Sequence, residues 1–267
     1  MPTAKVGDIN IYYEIHGKGE PLVMIMGGGG SVEWFYRDIP VFSREFKVIV
    51  FDNRGSGRSD KPDVPYTTEM LADDMAGLLD AIDIESAHIQ GGSMGGMIAQ
   101  QFALRYPKKV RSLILMCTYC GGPHSVMLNP EVMATWASMQ SLPPKERMME
   151  TFRICLSQKF IDNNPALIQQ MMKHMMKRPD YMQTRQAEAV ASHDTYNRLS
   201  EIKAPTLIIH GDADRGVPVE NARILAYRIP GAELVILKNV GHMFMFEAEE
   251  EFHRLMLDFL KRHRTSG

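Results

Sequence analysis

Short apolar runs alternate along this chain with stretches whose apolar residues recur every three or four positions. Residues 21–26, 47–51, 112–116, 205–210 and 233–237 are runs rich in Leu, Val, Ile and Met, and residues 87–90 are a shorter run centred on Ile89, as strands buried on both faces require. Residues 9–15 alternate more loosely, and His16, Gly17, Lys18 and Gly19 supply a turn after them. Helical patterns lie between. Leu71, Met75, Leu78, Leu79 and Ile82 share one helix face, with Thr67 or Thr68 as the N-cap. Met97, Ile98, Gln101, Phe102 and Arg105 form a second pattern, ended by Pro107. Ile224, Leu225 and Ile229 form a third before Pro230. Phe252, Leu255, Met256, Phe259 and Leu260 form a fourth. This alternation predicts an α/β fold, a mostly parallel central sheet with helices on both faces. Sites in such sheets gather at the carboxyl ends of the strands.

One interval breaks the rhythm. From about 119 to 198 no strand pattern occurs, and helix-like blocks cover 131–141, 145–158, 165–177 and 181–191, punctuated by Pro143, Pro144, Pro165 and Pro179. The pattern predicts a helical cap at 119–198, inserted in a core made of 1–118 and 199–267. Methionine is the compositional outlier. The chain has 21, and ten fall between Met127 and Met182.

Charge and cysteine usage exclude several classes. The formal net charge is −2, which gives no electrostatic footprint for nucleic acid or an anionic membrane. No apolar run approaches the roughly 18–20 residues of a membrane span, and the first eight residues are too polar for a secretory leader. Cys117 and Cys120 have the C-x-x-C spacing of a redox pair. Cys117 ends a strand-like run, however, and no second pair exists for zinc. Three buried thiols in a reducing cytosol are the better reading. The expectation is a cytoplasmic protein that works on a small molecule, with no nucleic acid, membrane, cofactor or metal.

The chemistry-bearing pattern is Gly91-Gly92-Ser93-Met94-Gly95. It is G-x-S-x-G at a strand-to-helix junction, where a serine is exposed on a strained turn and flanking side chains would collide with strand and helix. A serine hydroxyl needs a base to take its proton as it attacks a carbonyl. Histidine can take that proton and return it, and a carboxylate on the other ring nitrogen fixes the tautomer. His88 lies within a strand and His210 ends one, so both read as structural. His242 lies in a loop after the last strand, preceded by Gly241. The carboxylates after the 205–210 strand are Asp212 and Asp214. Residues 27–30 are four glycines, which let backbone N–H groups approach a ligand closely. No Lys-Ser/Thr follows them, and G-x-G-x-x-G spacing into a helix is lacking, so neither a phosphate cradle nor a dinucleotide site fits.

Taken together, these pieces resemble the α/β-hydrolase fold family, of the esterase and lactonase type, over nearly the whole chain. The matching segments are Met26-Gly27-Gly28, residues 52–59, residues 91–96, the Asp214 loop and Gly241-His242. The resemblance implies the order Ser93, Asp214, His242 for nucleophile, acid and base. It favours Asp214 over Asp212, because Gly-x-x-Asp followed by Val-Pro is the family's usual acid loop; Asp212 then reads as a turn former. It implies an oxyanion hole from the backbone N–H groups of Met94 and Gly28, and a structural role for Asp52 and Arg54. One departure is Met26, where the family commonly has histidine. Serine at 93 argues against the haloalkane dehalogenases and epoxide hydrolases of this fold, which use aspartate there, and the proline iminopeptidase motifs are missing. The implied activity is hydrolysis of a carboxylic ester. The alternatives are an enol-lactonase-like lactonase, a carbon–carbon hydrolase, a perhydrolase side activity, or a weakly hydrolytic small-molecule receptor. In each case the implied partner is a small-molecule ester, lactone or related carbonyl compound.

Overall fold

Leu22 and Met24 pack on one side of a sheet and Val23 and Ile25 on the other, and the same division holds for Val48 and Val50 against Ile49 and Phe51. Both faces are apolar because both are covered, which is why these strands read as unbroken hydrophobic runs. The computed structural model describes residues 2–173, 179 and 181–264. Its sheet comprises β1 (Thr3–Val6), β2 (Ile9–His16), β3 (Glu20–Ile25), β4 (Phe46–Phe51), β5 (Ala87–Gly92), β6 (Val110–Met116), β7 (Thr206–Gly211) and β8 (Glu233–Leu237). The spatial order is β1-β2-β4-β3-β5-β6-β7-β8. β1 and β2 run antiparallel to their neighbours, and every other pairing is parallel. β1 is the strand that the hydrophobic pattern misses. It has four residues and buries only Ala4 and Val6.

The helices of the sheet layer are α1 (Ile39–Phe42), α2 (Thr68–Ala81) and α3 (Met94–Arg105). Thr67 is the N-cap of α2, its hydroxyl accepting from the Met70 N–H at 3.1 Å. After β6 come α4 (Pro130–Ser138), α5 (Pro144–Cys155), α6 (Gln158–Asn163), α7 (Pro165–Lys173) and α8 (Tyr181–Ala191). Past β7 lie α9 (Glu220–Arg228), α10 (Phe244–Glu247) and α11 (Glu249–Arg262). α2, α3 and α9 cover one face, with Leu71, Phe102 and Leu225 in its core; α1 and α11 cover the other, with Phe42, Phe252 and Phe259. Phe102 and Phe259 are fully buried on opposite faces, and truncating either to alanine should cost about 3–5 kcal/mol.

Among the described residues between β6 and β7 there is no strand, only an isolated antiparallel bridge between Gly121 and Asp194. That bridge, with the Thr195 N–H bound to Cys120 O at 2.8 Å, brings the entry and exit of the helical segment together. The expected block at 145–158 divides. Leu156 is extended, and Ser157 caps α6 by accepting from the Phe160 N–H. The block expected at 165–177 forms α7 as far as Lys173, and 174–177 lie outside the described residues. Among the described residues no helix is long and apolar enough to cross a membrane.

Candidate active site

Three loops meet at the carboxyl ends of parallel strands, and each is held in its own way. The first follows β5. Ser93 has φ 54° and ψ −123°, a region that residues other than glycine seldom occupy. Two glycines permit it. A Cβ on Gly91 would strike the backbone of Gly95, and one on Gly95 would strike the backbone of Ile25 in β3. The elbow is fixed from below, since the Ser93 N–H donates to Met116 O at 2.9 Å and the Thr118 hydroxyl donates to Ser93 O at 2.8 Å. The side chain is half-buried, and α3 begins at the next residue. Its N-terminal N–H groups therefore point toward the serine.

The second loop follows β7 and carries Asp214. Oδ1 accepts from the N–H groups of Gly216 and Val217 at 2.7 and 2.8 Å. Oδ2 accepts from His242 Nδ1 at 2.8 Å. A carboxylate has no proton to give here, so Nδ1 must carry the hydrogen and Nε2 is left as the basic nitrogen. Burial alone would raise the Asp214 pKa. His242 and His210 outweigh it and draw the group down to about 2. For His242, burial disfavours the imidazolium, but the Asp214 carboxylate and its hydrogen bond win and raise the pKa. Asp212 stands apart. It is exposed, accepts from the Asn239 N–H at 2.6 Å and pairs with Lys238 at 3.3 Å, which is the work of a turn residue.

The third loop, after β8, carries His242. The Gly241 N–H donates to Glu247 Oε1 at 2.8 Å, and the Met243 N–H donates to Cys155 O at 2.9 Å. Glu247 also accepts from the N–H and hydroxyl of Ser157. The histidine is thus gripped from α10 on one side and from the end of α5 on the other. The brace from α5 is not visible in sequence, because Ser157 and Glu247 are separated by 90 residues.

The four glycines lie against the elbow. A Cβ on Gly27 would stand 3.3 Å from Ser93 Cβ and 3.9 Å from its Oγ. The Gly30 N–H closes a turn onto Gly27 O at 3.3 Å, and Gly29 has the φ of +75° that the third position of a type II turn needs. Among the described residues no acceptor takes the N–H of Gly28 or of Met94. The two expected donors are both free to bind an oxyanion.

The structure thus joins His242 directly to Asp214, sets Ser93 on a strained elbow and seats Gly27 and Gly28 beside it. No hydrogen bond joins Ser93 to His242 among the described residues, and such bonds often tighten only with substrate bound. Sequence reasoning missed two side chains. His210, read as structural, donates from Nε2 to Val217 O at 2.9 Å and lies 3.1 Å from Asp214 Oδ2. Gln186 of α8 reaches Gly29 and Ser56. The remaining readings hold their places. His88 is buried and bonded to Ser112 at 2.8 Å. Asp52 accepts from the N–H groups of Val32 and Arg58, and Arg54 forms a two-pronged pair with Asp74. All three cysteines are free and buried, and burial raises the thiol pKa values of Cys117, Cys120 and Cys155. These are poor conditions for a reactive thiolate.

Comparison with known proteins bears on the fold and the family. The family model described as alpha/beta hydrolase fold matches residues 20–154, and that of the prolyl oligopeptidase family matches residues 146–266. The 2-hydroxy-6-oxononadienedioate/2-hydroxy-6-oxononatrienedioate hydrolase of Burkholderia vietnamiensis is 32% identical, over 96% of this chain and 92% of its own. A solved structure described as Est816, an N-acyl homoserine lactone degrading enzyme, is 31% identical with TM-score 0.84, covering 97% of this chain and 100% of its own. The enol-lactonase of Burkholderia xenovorans LB400 shares the fold at TM-score 0.87 and 24% identity, covering 97% and 100%. Sheet order, elbow and these matches agree: the chain belongs to the α/β hydrolase family.

Proposed function

We propose that the protein hydrolyses a carboxylic ester bond, open-chain or in a lactone ring, through an acyl-enzyme on Ser93. The observation that carries this reading is the His242–Asp214 hydrogen bond at 2.8 Å beside a serine held at positive φ. In the proposed sequence Ser93 Oγ attacks the carbonyl carbon and His242 Nε2 takes its proton. The negative oxygen of the tetrahedral intermediate binds the N–H groups of Gly28 and Met94. The intermediate collapses, the alcohol leaves with the proton from His242, and the acyl group stays on Ser93. His242 then deprotonates a water molecule, whose oxygen attacks the acyl carbon. The acid departs and the proton returns to Ser93. In a lactone the leaving alcohol remains tethered to the acyl group, and the product is a hydroxy acid.

An oxygen leaving group needs only the proton His242 already holds. A carbon leaving group must also have its negative charge delocalised, which a conjugated oxo-dienoate does through its own carbonyl. The second reading, hydrolysis of a carbon–carbon bond, rests on the 32% identity to the B. vietnamiensis enzyme. We further propose that residues 119–198 cap the site and that its methionines shape the acyl pocket. Met148, Met149 and Met172 cluster with Met243, next to the base, and with Trp34, Phe152 and Phe246, a soft and adaptable apolar wall.

The test is a panel of p-nitrophenyl esters of graded length, N-acyl homoserine lactones and a 2-hydroxy-6-oxo-dienoate, run on the wild type and Ser93→Ala. Steady turnover of esters or lactones that depends on Ser93 is expected. Turnover of the dienoate alone would move the assignment to carbon–carbon hydrolysis. A single burst without turnover would make the protein a receptor.

A further inference from the structure

Resting on the hydrolytic reading, we infer that Gln186 is a positioning residue that sets the oxyanion hole from the helical segment. Gln186 is buried on α8, 157 residues from the glycine loop it touches. Its Oε1 accepts from the Gly29 N–H at 2.8 Å, and its Nε2 donates to Ser56 Oγ at 2.9 Å. Ser56 belongs to the 52–59 loop, where its N–H donates to Asn53 O at 2.8 Å. Asn53 in turn donates from Nδ2 to Met26 O at 3.0 Å. The glycine loop is therefore held at both ends. Asn53 fixes the residue before it, and Gln186 fixes its third peptide.

This bond matters because the loop cannot hold itself. Four glycines in a row have the widest conformational freedom of any sequence. Their one internal bond, from the Gly30 N–H to Gly27 O, is long at 3.3 Å. The Gly28 N–H is useful only when it points where the oxyanion forms, and an oxyanion donor works because it is oriented before charge develops. Oε1 of Gln186 and Sδ of Met94 each stand 3.9 Å from the position of a Cβ on Gly28. The amide and the Met94 side chain thus both lie against Gly28. Because Gln186 comes from α8 and the glycines from the sheet, the hole is complete only while α8 is seated on the core. The orientation of the hole and the position of the helical segment are then one equilibrium.

The experiment compares wild type, Gln186→Met and Gln186→Glu by hydrogen exchange of the peptide spanning residues 26–31, and by kcat and KM for p-nitrophenyl butyrate. Gln186→Met keeps the length and loses the acceptor. It should speed exchange of the Gly29 amide at least tenfold and lower kcat about tenfold while KM stays within about twofold, a fraction of the loss on deleting a whole oxyanion donor. Gln186→Glu keeps the acceptor, so Gly29 should stay protected, while the added charge beside the forming oxyanion lowers kcat. Ser56→Ala, which frees the other end of the amide, should give the same trend at smaller size. Unchanged Gly29 exchange in both Gln186→Met and Ser56→Ala would overturn the inference, whatever the substrate. So would a change in KM with kcat untouched. Exchange reports on the loop even if the esters are the wrong substrates, so its failure is distinct from failure of the hydrolytic reading.

Discussion

The sheet and the helical segment between β6 and β7 contribute to the site in different ways. The sheet supplies the proposed reacting groups, each on a loop that leaves a strand: Ser93 after β5, Asp214 after β7 and His242 after β8. The helical segment supplies no member of the proposed triad. It supplies braces, through Gln186 on Gly29 and Cys155 O on Met243, and an apolar cluster built on Phe152, Ile168 and Met171. The difference teaches where each kind of tolerance lies. A strand end fixes position by ladder hydrogen bonds, on both sides for β5 and β7 and on one side for β8. Helices joined by prolines and packed through methionine can re-pack to suit a different acyl group. Substitutions on the sheet side, and of the Gln186 brace that holds a sheet-side loop, should therefore strike kcat, and those in the apolar cluster of the helical segment KM and chain-length preference.

The largest expected effect is that of Ser93→Ala. Steady-state turnover should fall by about 10⁴-fold or more with the unfolding midpoint retained; persistent turnover would remove the serine from the mechanism. Next, Asp214→Asn should lower kcat by about 10³–10⁴-fold, because the amide favours the wrong imidazole tautomer. Asp212→Asn should stay within about twofold, as expected of an exposed substitution. The reverse ranking would move the acid to Asp212.

The pH profile sharpens the same contrast. Only neutral His242 can accept a proton, and Asp214 raises its pKa. The acid limb of kcat/KM should thus lie above the ordinary imidazole value of about 6.5 and fall about tenfold per unit below it. In Asp214→Asn burial acts unopposed, and the residual activity should have its limb moved to lower pH. A limb that stays in place would separate the shift from the carboxylate.

On the helical side, Phe152 is fully buried against Trp34 and Phe246. Phe152→Ala should cost about 3–4 kcal/mol of stability and alter KM across the ester series more than kcat; urea unfolding and the ester panel check both. The smallest effect expected is a gain. Ser93→Gly removes the side chain from a positive-φ position and should stabilise the fold by about 1 kcal/mol, measurable in the same unfolding curves.

How much of this was legible depended on whether the signal was local. The strands buried on both faces announce themselves as apolar runs, and the elbow is a five-residue pattern whose glycines have a steric reason that the collisions at Gly91 and Gly95 bear out. The choice of Asp214 over Asp212 drew on a loop pattern, and the hydrogen bonds of the two side chains agree with it. β1 was not legible, because four residues with two buried positions carry no period. The division of the 145–158 block was missed because periodicity there hides the capping role of Ser157. Gln186 escaped because its partner is fixed only by the tertiary fold, and a glutamine on a helix looks the same in sequence whether it faces solvent or holds a backbone amide. His210 has its partner four residues away, but a strand-end histidine carries no periodic signal of that contact.

The most direct test of the central claim is to label the protein with a p-nitrophenyl alkylphosphonate and map the adduct by mass spectrometry. The phosphorus takes the place of the acyl carbon, p-nitrophenolate leaves, and the activated nucleophile keeps the phosphonyl group. One adduct per chain is predicted, on Ser93 in the peptide that contains residues 87–105, with labelling slowed in Asp214→Asn and unaffected in Asp212→Asn. An adduct on any other residue, or ester turnover that continues after Ser93 is fully labelled, would contradict the account.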